Sequence, residues 1–250
     1  MTQLAIIGGT GLSRLTAFEV ERQEQVTTPW GEPSAALTFG TLYGREVAFL
    51  ARHGDPHILP PHRINYRANI WALKQIGVQQ ILAIAAVGGI RSDMKPSRIV
   101  VPDQIVDYTY GRAHTFFEDQ LEHVTHIDFT RPYSEPMREQ LLSAGVAARL
   151  RLVDGGVYGC TQGPRLETAA EIARMERDGC DVVGMTGMPE AALARELELD
   201  FACCAVVANW AAGKTEREIT MPEIEVNLQQ GMAHMAMLLE HFMLASAPDF

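Results

Sequence analysis

The sequence predicts an α/β fold: a single domain with a mostly parallel, mixed central sheet flanked by helices. Three observations predict it. Short, continuously apolar, β-rich runs recur along the chain, and most end at glycine, proline or a polar cluster. Stretches of helical period lie between these runs, and that alternation is the mark of a parallel sheet covered on both faces. No Ser/Gly-rich or charge-rich linker interrupts the 250 residues, so 1–250 reads as one domain, with 47% hydrophobic residues to fill its core.

The first run, Leu4-Ala5-Ile6-Ile7, ends in Gly8-Gly9-Thr10-Gly11, as a buried strand does on meeting a tight turn. Residues 47–51, 81–87, 98–101, 156–157, 182–185 and 201–207 repeat the pattern. Residues 65–76 form the first predicted helix, with Ile70, Leu73 and Ile76 on one face and Trp71 beside them. Pro136 opens the second, over 136–148, because a proline at the first helical position lacks only an N–H that would be unpaired anyway. Residues 168–178 and 190–199 are charged and amphipathic, and 223–244 form a long helix rich in Met and Leu. Residues 111–134 break this rhythm, with Arg112, His114, Phe116, Phe117, His123, His126 and Pro132 in a stretch of neither period. Irregular segments of that length inside compact domains are usually functional.

Lys and Arg number 21 against 31 Asp and Glu, a formal charge of −10, which opposes a broad surface for nucleic acid. A few fixed cations can still hold a small anion in a pocket. The chain opens directly into an apolar strand without the pattern of a signal peptide, and its longest apolar runs, 81–90 and 201–208, fall short of a membrane span. No membrane partner is expected. Cys160, Cys180, Cys203 and Cys204 lack metal-ligand spacing and read as buried free thiols of a cytoplasmic protein. The histidines lack such spacing too, so no metal is expected.

Four segments carry candidate chemistry, each with a plainer alternative. Gly8-Gly9-Thr10-Gly11 lets backbone N–H groups approach an anion, but it is neither a dinucleotide fingerprint nor a Walker loop, and a simple strand-exit turn fits it equally. Arg52-His53-Gly54 places a guanidinium fork and an imidazole at the carboxyl edge of a strand, where open α/β sheets keep their sites; a surface Arg and a loop His are the alternative. Ala85-Ala86-Val87-Gly88-Gly89 brings a small-residue backbone to the same edge, a weak signal alone, and Gly184-Met185-Thr186-Gly187-Met188-Pro189-Glu190 offers Thr186 and a helix start to an anion, though a plain helix start fits it better. Glu167 and Asn209 are the polar groups to aim at a heterocycle: Asn both donates and accepts, whereas ionised Glu only accepts. The alternative for Glu167 is a carboxylate favoured by a helix N-terminus.

Together these pieces resemble the trimeric purine nucleoside phosphorylase and methylthioadenosine phosphorylase family over nearly the whole chain. The carrying stretches are Ile7-Gly8-Gly9-Thr10-Gly11-Leu12, Arg52-His53-Gly54, Asn65-Tyr66-Arg67-Ala68-Asn69-Ile70-Trp71-Ala72-Leu73-Lys74, Gly163-Pro164-Arg165, and Gly184-Met185-Thr186 with Pro189-Glu190. The resemblance implies a homotrimer and reversible phosphorolysis, in which inorganic phosphate attacks C1′ of a purine nucleoside without metal or organic cofactor. It implies that Thr10, Arg52, His53, Ala85, Ala86 and Thr186 hold phosphate. Asn209 and His53 would be the catalytic pair, and Leu166, Glu167, Met185, Asn209, Trp210 and Ala211 would line the nucleoside site. The family often has Thr where Ala85 stands, which removes one hydroxyl donor.

The base site departs from the methylthioadenosine branch, which resembles itself in carrying aspartates at the positions of Asn209 and Ala211. Asn209 can donate to O6 and accept from N7–H of a 6-oxopurine, and Glu167, matching the oxopurine branch, can accept from N1–H. Adenine N1 is itself an acceptor, and the mismatch costs on the order of 1 to 3 kcal/mol. At the 5′ end, Met221 and Pro222 are apolar enough for a methylthio group, and the resemblance brings His126 from a neighbouring subunit. These features point to 5′-methylthioinosine as substrate. Phosphorolysis of methylthioadenosine or of inosine and guanosine are the enzymatic alternatives, and a purine-nucleotide-binding module is the non-enzymatic one.

Overall fold

The computed structural model describes residues 2–9, 17–119 and 121–245. Strands β1 (Leu4–Gly8), β2 (Phe18–Glu24), β3 (Leu37–Leu42) and β4 (Arg45–Ala51) lead into helix α1 (Tyr66–Gln75), followed by β5 (Gln80–Gly89), β6 (Ile99–Val101) and β7 (Gln104–Asp107). Then come α2 (Glu135–Ala147), β8 (Val153–Asp154), β9 (Val157–Cys160), α3 (Ala169–Arg177), β10 (Val182–Gly184), α4 (Gly187–Glu196), β11 (Asp200–Trp210) and α5 (Met221–Ala245).

All eleven strands join one sheet, in the order β2-β3-β4-β1-β5-β10-β9-β7, with β11, β6 and β8 branching from β5. The expected mixed, mostly parallel character is present. β1 runs parallel to β4 and β5, β11 to β5, β9 to β10 and β7, and β6 to β8. The antiparallel contacts are β2 with β3, β3 with β4, β10 with β5 and β11 with β6. β2, β3, β7 and β8 were not expected from the sequence. β2, Phe-Glu-Val-Glu-Arg-Gln-Glu, is exposed beyond Phe18, so pairing with β3 rather than apolar content makes it a strand.

Each face of the sheet carries its own core. On one, Ile7, Leu50, Ile81, Ala83, Ala85 and Phe201 pack with Ile70 and Leu73 of α1 and Ala191 and Leu193 of α4. On the other, Ile6, Phe49, Leu82, Ile84 and Val206 meet Met137 and Leu141 of α2 and Leu238, Leu239 and Phe242 of α5. Neighbouring residues along a strand, such as Ile6 and Ile7, divide between the two cores because successive side chains point to opposite faces. Each fully buried Leu, Ile or Phe contributes about 1.5–3 kcal/mol.

β5 positions the site. Along one edge it pairs with β11 over its whole length, from Gln80 to Gly89. The other edge is shared: β1 takes Gln80 to Ala83, and β10 takes Gly88 and Gly89 in the opposite direction. β1 and β10 therefore point toward each other, leaving Ile84, Ala85, Ala86 and Val87 between their ends. Strand direction reverses at this gap, and such switch points are where open α/β sheets bind ligands.

Candidate active site

Ala86 marks the gap: it is exposed in a strand whose residues from Ile81 to Gly89 are otherwise buried. Ile84 turns its carbonyl into the gap, and by strand alternation Ala86 presents its N–H and C=O on the same side. Ala85 points into the core, with 7% of its surface exposed.

Arg52 closes the floor of the gap from β4. Its Nε and Nη2 donate to Glu190 at 2.7 and 2.8 Å, its Nη1 to the Ile84 carbonyl at 3.1 Å, and its Nη2 also to the Ile7 carbonyl at 3.4 Å. Both members of the pair are buried. Burial opposes the guanidinium charge, and the adjoining Glu190 carboxylate overcomes this and holds Arg52 ionised. The fork expected to face an anion is thus occupied by Glu190, and one Nη1 hydrogen is left for other partners.

His53 differs from its expected role in a similar way. Its Nδ1 lies 2.8 Å from the Leu59 carbonyl, and its ring stacks on His57 at 4.4 Å. Burial, helped by Arg52 and His57 and opposed by the Leu59 contact, lowers its pKa from 6.5 to about 4. The ring is therefore neutral at pH 7, and since a carbonyl can only accept, Nδ1 carries the proton. Nε2 is then an acceptor, suited to a P–OH hydrogen rather than to a bare phosphate oxygen.

From the other side, β10 ends at Gly184 and the chain turns through Met185 and Thr186 into α4. Thr186 is buried where the chain enters α4 and its hydroxyl makes no capping bond, whereas the Met188 N–H is taken up by Cys160 Sγ at 3.2 Å. Met188 is non-helical (φ −117°, ψ 140°), so regular helix begins at Pro189, close to the expected start at residue 190. The Tyr158 ring packs beneath the turn: a Cβ on Gly184 would overlap the Tyr158 hydroxyl, and one on Gly187 would come within 3.3 Å of the ring.

Asn209 sits at the carboxyl end of β11, where a register shift after Val207 sets it opposite Gly88. Bulges re-aim side chains in this way. Its Nδ2 donates to the Trp210 carbonyl at 2.7 Å, which leaves one N–H and the Oδ1 free to act together. Trp210 is half-buried, and Ala211 packs inward against Ile172 and Met175.

Glu167 lies between β9 and α3, and its Oε1 accepts from the Thr161 hydroxyl at 2.6 Å. The carboxylate that serves the α3 N-terminus is Glu171, which forms a reciprocal capping box with Thr168. That leaves Glu167 free of the capping alternative. Glu167 lines a cavity of about 410 Å³ with Tyr108, Tyr110, Thr161, Gln162 and Arg165. Asn209, Met185 and Thr186 do not line this cavity, although a Cβ on Gly213 would contact Ala169, so the loop after Asn209 runs against the start of α3.

The remaining candidates lie further out. Leu166 is 45% exposed, Met221 63%, and Pro222 and His126 are also exposed. Asn227 ties α5 to the Ala208 carbonyl beside Asn209, and Met221 stands about 9 Å along the helix from Asn227. Thr10 lies outside the described residues. Sequence reasoning missed Glu190, Thr161 and Arg112 as site residues. A charged residue just inside an apolar helix start was the available signal for Glu190, and Arg112 lay in the irregular stretch already singled out.

Among the described residues no group of three or more His, Cys, Asp or Glu could hold a metal, and no helix is long and apolar enough to cross a membrane. All four cysteines are free and buried; burial raises the Cys160 and Cys203 thiols to about 12.

A family model described as the phosphorylase superfamily matches residues 3–243. A protein of Pseudomonas syringae named probable S-methyl-5′-thioinosine phosphorylase is 58% identical over 246 residues, covering 98% of this chain and 100% of that protein. A 6-oxopurine nucleoside phosphorylase of Pyrococcus furiosus is 47% identical, covering 92% of this chain and 87% of its own. Among solved structures, methylthioadenosine phosphorylase of Schistosoma mansoni in complex with adenine superposes with a TM-score of 0.92 at 32% identity, covering 100% of this chain and 93% of that one.

Proposed function

The chain belongs to the phosphorylase superfamily, and on that premise we propose that it cleaves 5′-methylthioinosine with inorganic phosphate, giving hypoxanthine and 5-methylthioribose 1-phosphate. The observation that carries this reading is the base end of the site. Asn209 keeps one N–H and its carbonyl oxygen free, and Glu167 is held as an acceptor by Thr161. That set matches the O6, N7–H and N1–H of a 6-oxopurine and mismatches adenine. The relatives named for thioinosine and 6-oxopurine substrates support the same assignment.

Phosphate is the co-substrate and no metal or other cofactor takes part. It lies in the gap of β5, against the Ala86 backbone and the Thr186 hydroxyl, with His53 Nε2 accepting a P–OH hydrogen and Arg52 completing the floor. Its oxygen attacks C1′ as the N-glycosidic bond stretches, and the bonding electrons pass into the purine. The Asn209 N–H on O6 stabilises that charge and Glu167 holds N1–H, while the proton of the consumed hydrogen phosphate passes to the base, which leaves as neutral hypoxanthine as the sugar phosphate forms. Catalysis rests on positioning and preorganised electrostatics. The working unit is a cytoplasmic homotrimer, consistent with buried free thiols and with an exposed His126 available to a neighbouring site.

A second reading, an inosine and guanosine phosphorylase, is favoured by the 63% exposure of Met221, which leaves the 5′ end of the site open in one chain. Phosphate-dependent base release from methylthioinosine, methylthioadenosine, inosine and adenosine separates the possibilities. Methylthioinosine is expected to be cleaved fastest. A preference for methylthioadenosine would refute the roles of Asn209 and Glu167, and a preference for inosine those of Met221 and Pro222.

A further inference from the structure

Arg112 lies in the irregular stretch after β7 and is 8% exposed. Among the described residues its guanidinium has no carboxylate hydrogen-bond partner. Instead Nε donates to Gln162 Oε1 at 3.1 Å and Nη2 to the carbonyls of Thr161 at 3.1 Å and Gln162 at 2.9 Å. Nη1 reaches the carbonyls of Met185 at 2.9 Å and Met188 at 2.5 Å, together with the Tyr66 hydroxyl at 3.1 Å. Tyr66 in turn donates to the Pro61 carbonyl at 3.0 Å. All five N–H groups of a rigid planar cation are therefore spent on two loops and one hydroxyl.

Those two loops carry the two halves of the site. Residues 161–162 lead to Glu167, and 185–188 form the turn with Met185 and Thr186. Buried charge is costly unless fully hydrogen-bonded, so the position of each carbonyl is fixed by the guanidinium plane. We infer that Arg112 is a positioning residue, a clamp that sets the distance between the base-recognising Glu167 loop and the phosphate-facing Thr186 turn. It touches no reacting atom and acts through both loops. The inference rests on the proposed substrate reading only for its effect on base selectivity.

Arg112→Lys keeps the charge but supplies three donors from a single point, too few for both loops; Arg112→Ala removes the clamp altogether. Hydrogen exchange on the free proteins is expected to show loss of protection in 161–167 and 185–188 together in Arg112→Lys, with α5 unaffected. In turnover, kcat/KM for methylthioinosine should fall by about 10²-fold, the scale of an ångström misplacement. The methylthioinosine to methylthioadenosine ratio should fall with it, which a general loss of stability would not cause. Unchanged exchange in the two loops of a folded Arg112→Lys protein overturns the clamp, as does loosened exchange with an unaltered base ratio. If the wild-type protein cleaves neither nucleoside while its loops still loosen on substitution, the clamp stands and the substrate reading fails.

Discussion

His53 follows β4 into a loop that folds back on it: the amides of Ile58 and Leu59 donate to its carbonyl at 3.0 and 2.8 Å, and its ring meets Leu59 again through Nδ1. Enclosure makes the charged form unfavourable, so the folded protein holds this imidazole neutral down to about pH 4, whereas the unfolded chain protonates it near 6.5. The unfolded state therefore binds more protons between these values, and the stability that His53 contributes is present above pH 6.5 and lost as pH falls toward 4. The full shift corresponds to an upper bound of about 3 kcal/mol. His53→Gln, whose amide can still donate to Leu59, should show a smaller drop in urea midpoint between pH 7 and pH 5 than the wild-type protein. Equal drops in the two proteins would place the acid sensitivity elsewhere. Glu167 makes a complementary point: its sequence position allowed a capping role, and only the Thr168–Glu171 box assigned that role to a neighbour.

At the scale of elements, the turn between β10 and α4 depends on what lies beneath it. Gly184 adopts no unusual backbone angle, but any side chain there would strike the Tyr158 hydroxyl and approach Val87 Cγ1 to 3.0 Å. Strand β9, parallel to β10 with Cys160 opposite Gly184, holds Tyr158 fully buried, so the ring cannot swing away. Gly184→Ala should therefore destabilise the protein by about 1–3 kcal/mol, the cost of overpacking, read as a lowered thermal midpoint. Tyr158→Phe in the same chain should recover part of that loss by removing the struck oxygen, and a strictly additive double variant would show the two groups uncoupled. The segment Gly184-Met185-Thr186-Gly187 offered Thr186 and a helix start in the sequence; in the fold its glycines also admit an aromatic ring.

Over the whole molecule, two cores hold the sheet from opposite faces, and the site lies where two strands meet end to end along β5. Apolar side chains are exposed in two loops: Ile58, in the loop closing on His53, and Val124, two residues before His126, are each 72% exposed. A second copy of the chain covering them fits the proposed trimer. Sedimentation at micromolar protein should give three times the chain mass, and His126→Ala should lower kcat/KM while leaving that mass unchanged. A fully active monomer would refute the shared site.

The sequence by itself determined the α/β class, the helices and most of the buried strands, though not buried β3, because each needs only a local period and an apolar face. It also determined which segments reach the carboxyl edges of strands, since small residues and polar groups after apolar runs are local signals as well. Where pairing rather than composition makes the element, as in the exposed β2, the local signal was absent. The tertiary structure decided what the candidate side chains can offer. It joined Arg52 to Glu190, 138 positions away, withdrew the proton of His53 to a backbone carbonyl, and gathered two distant loops around Arg112. Hydrogen-bond capacity is finite, and which partner fills it depends on groups far apart in sequence that only packing brings within 3 Å.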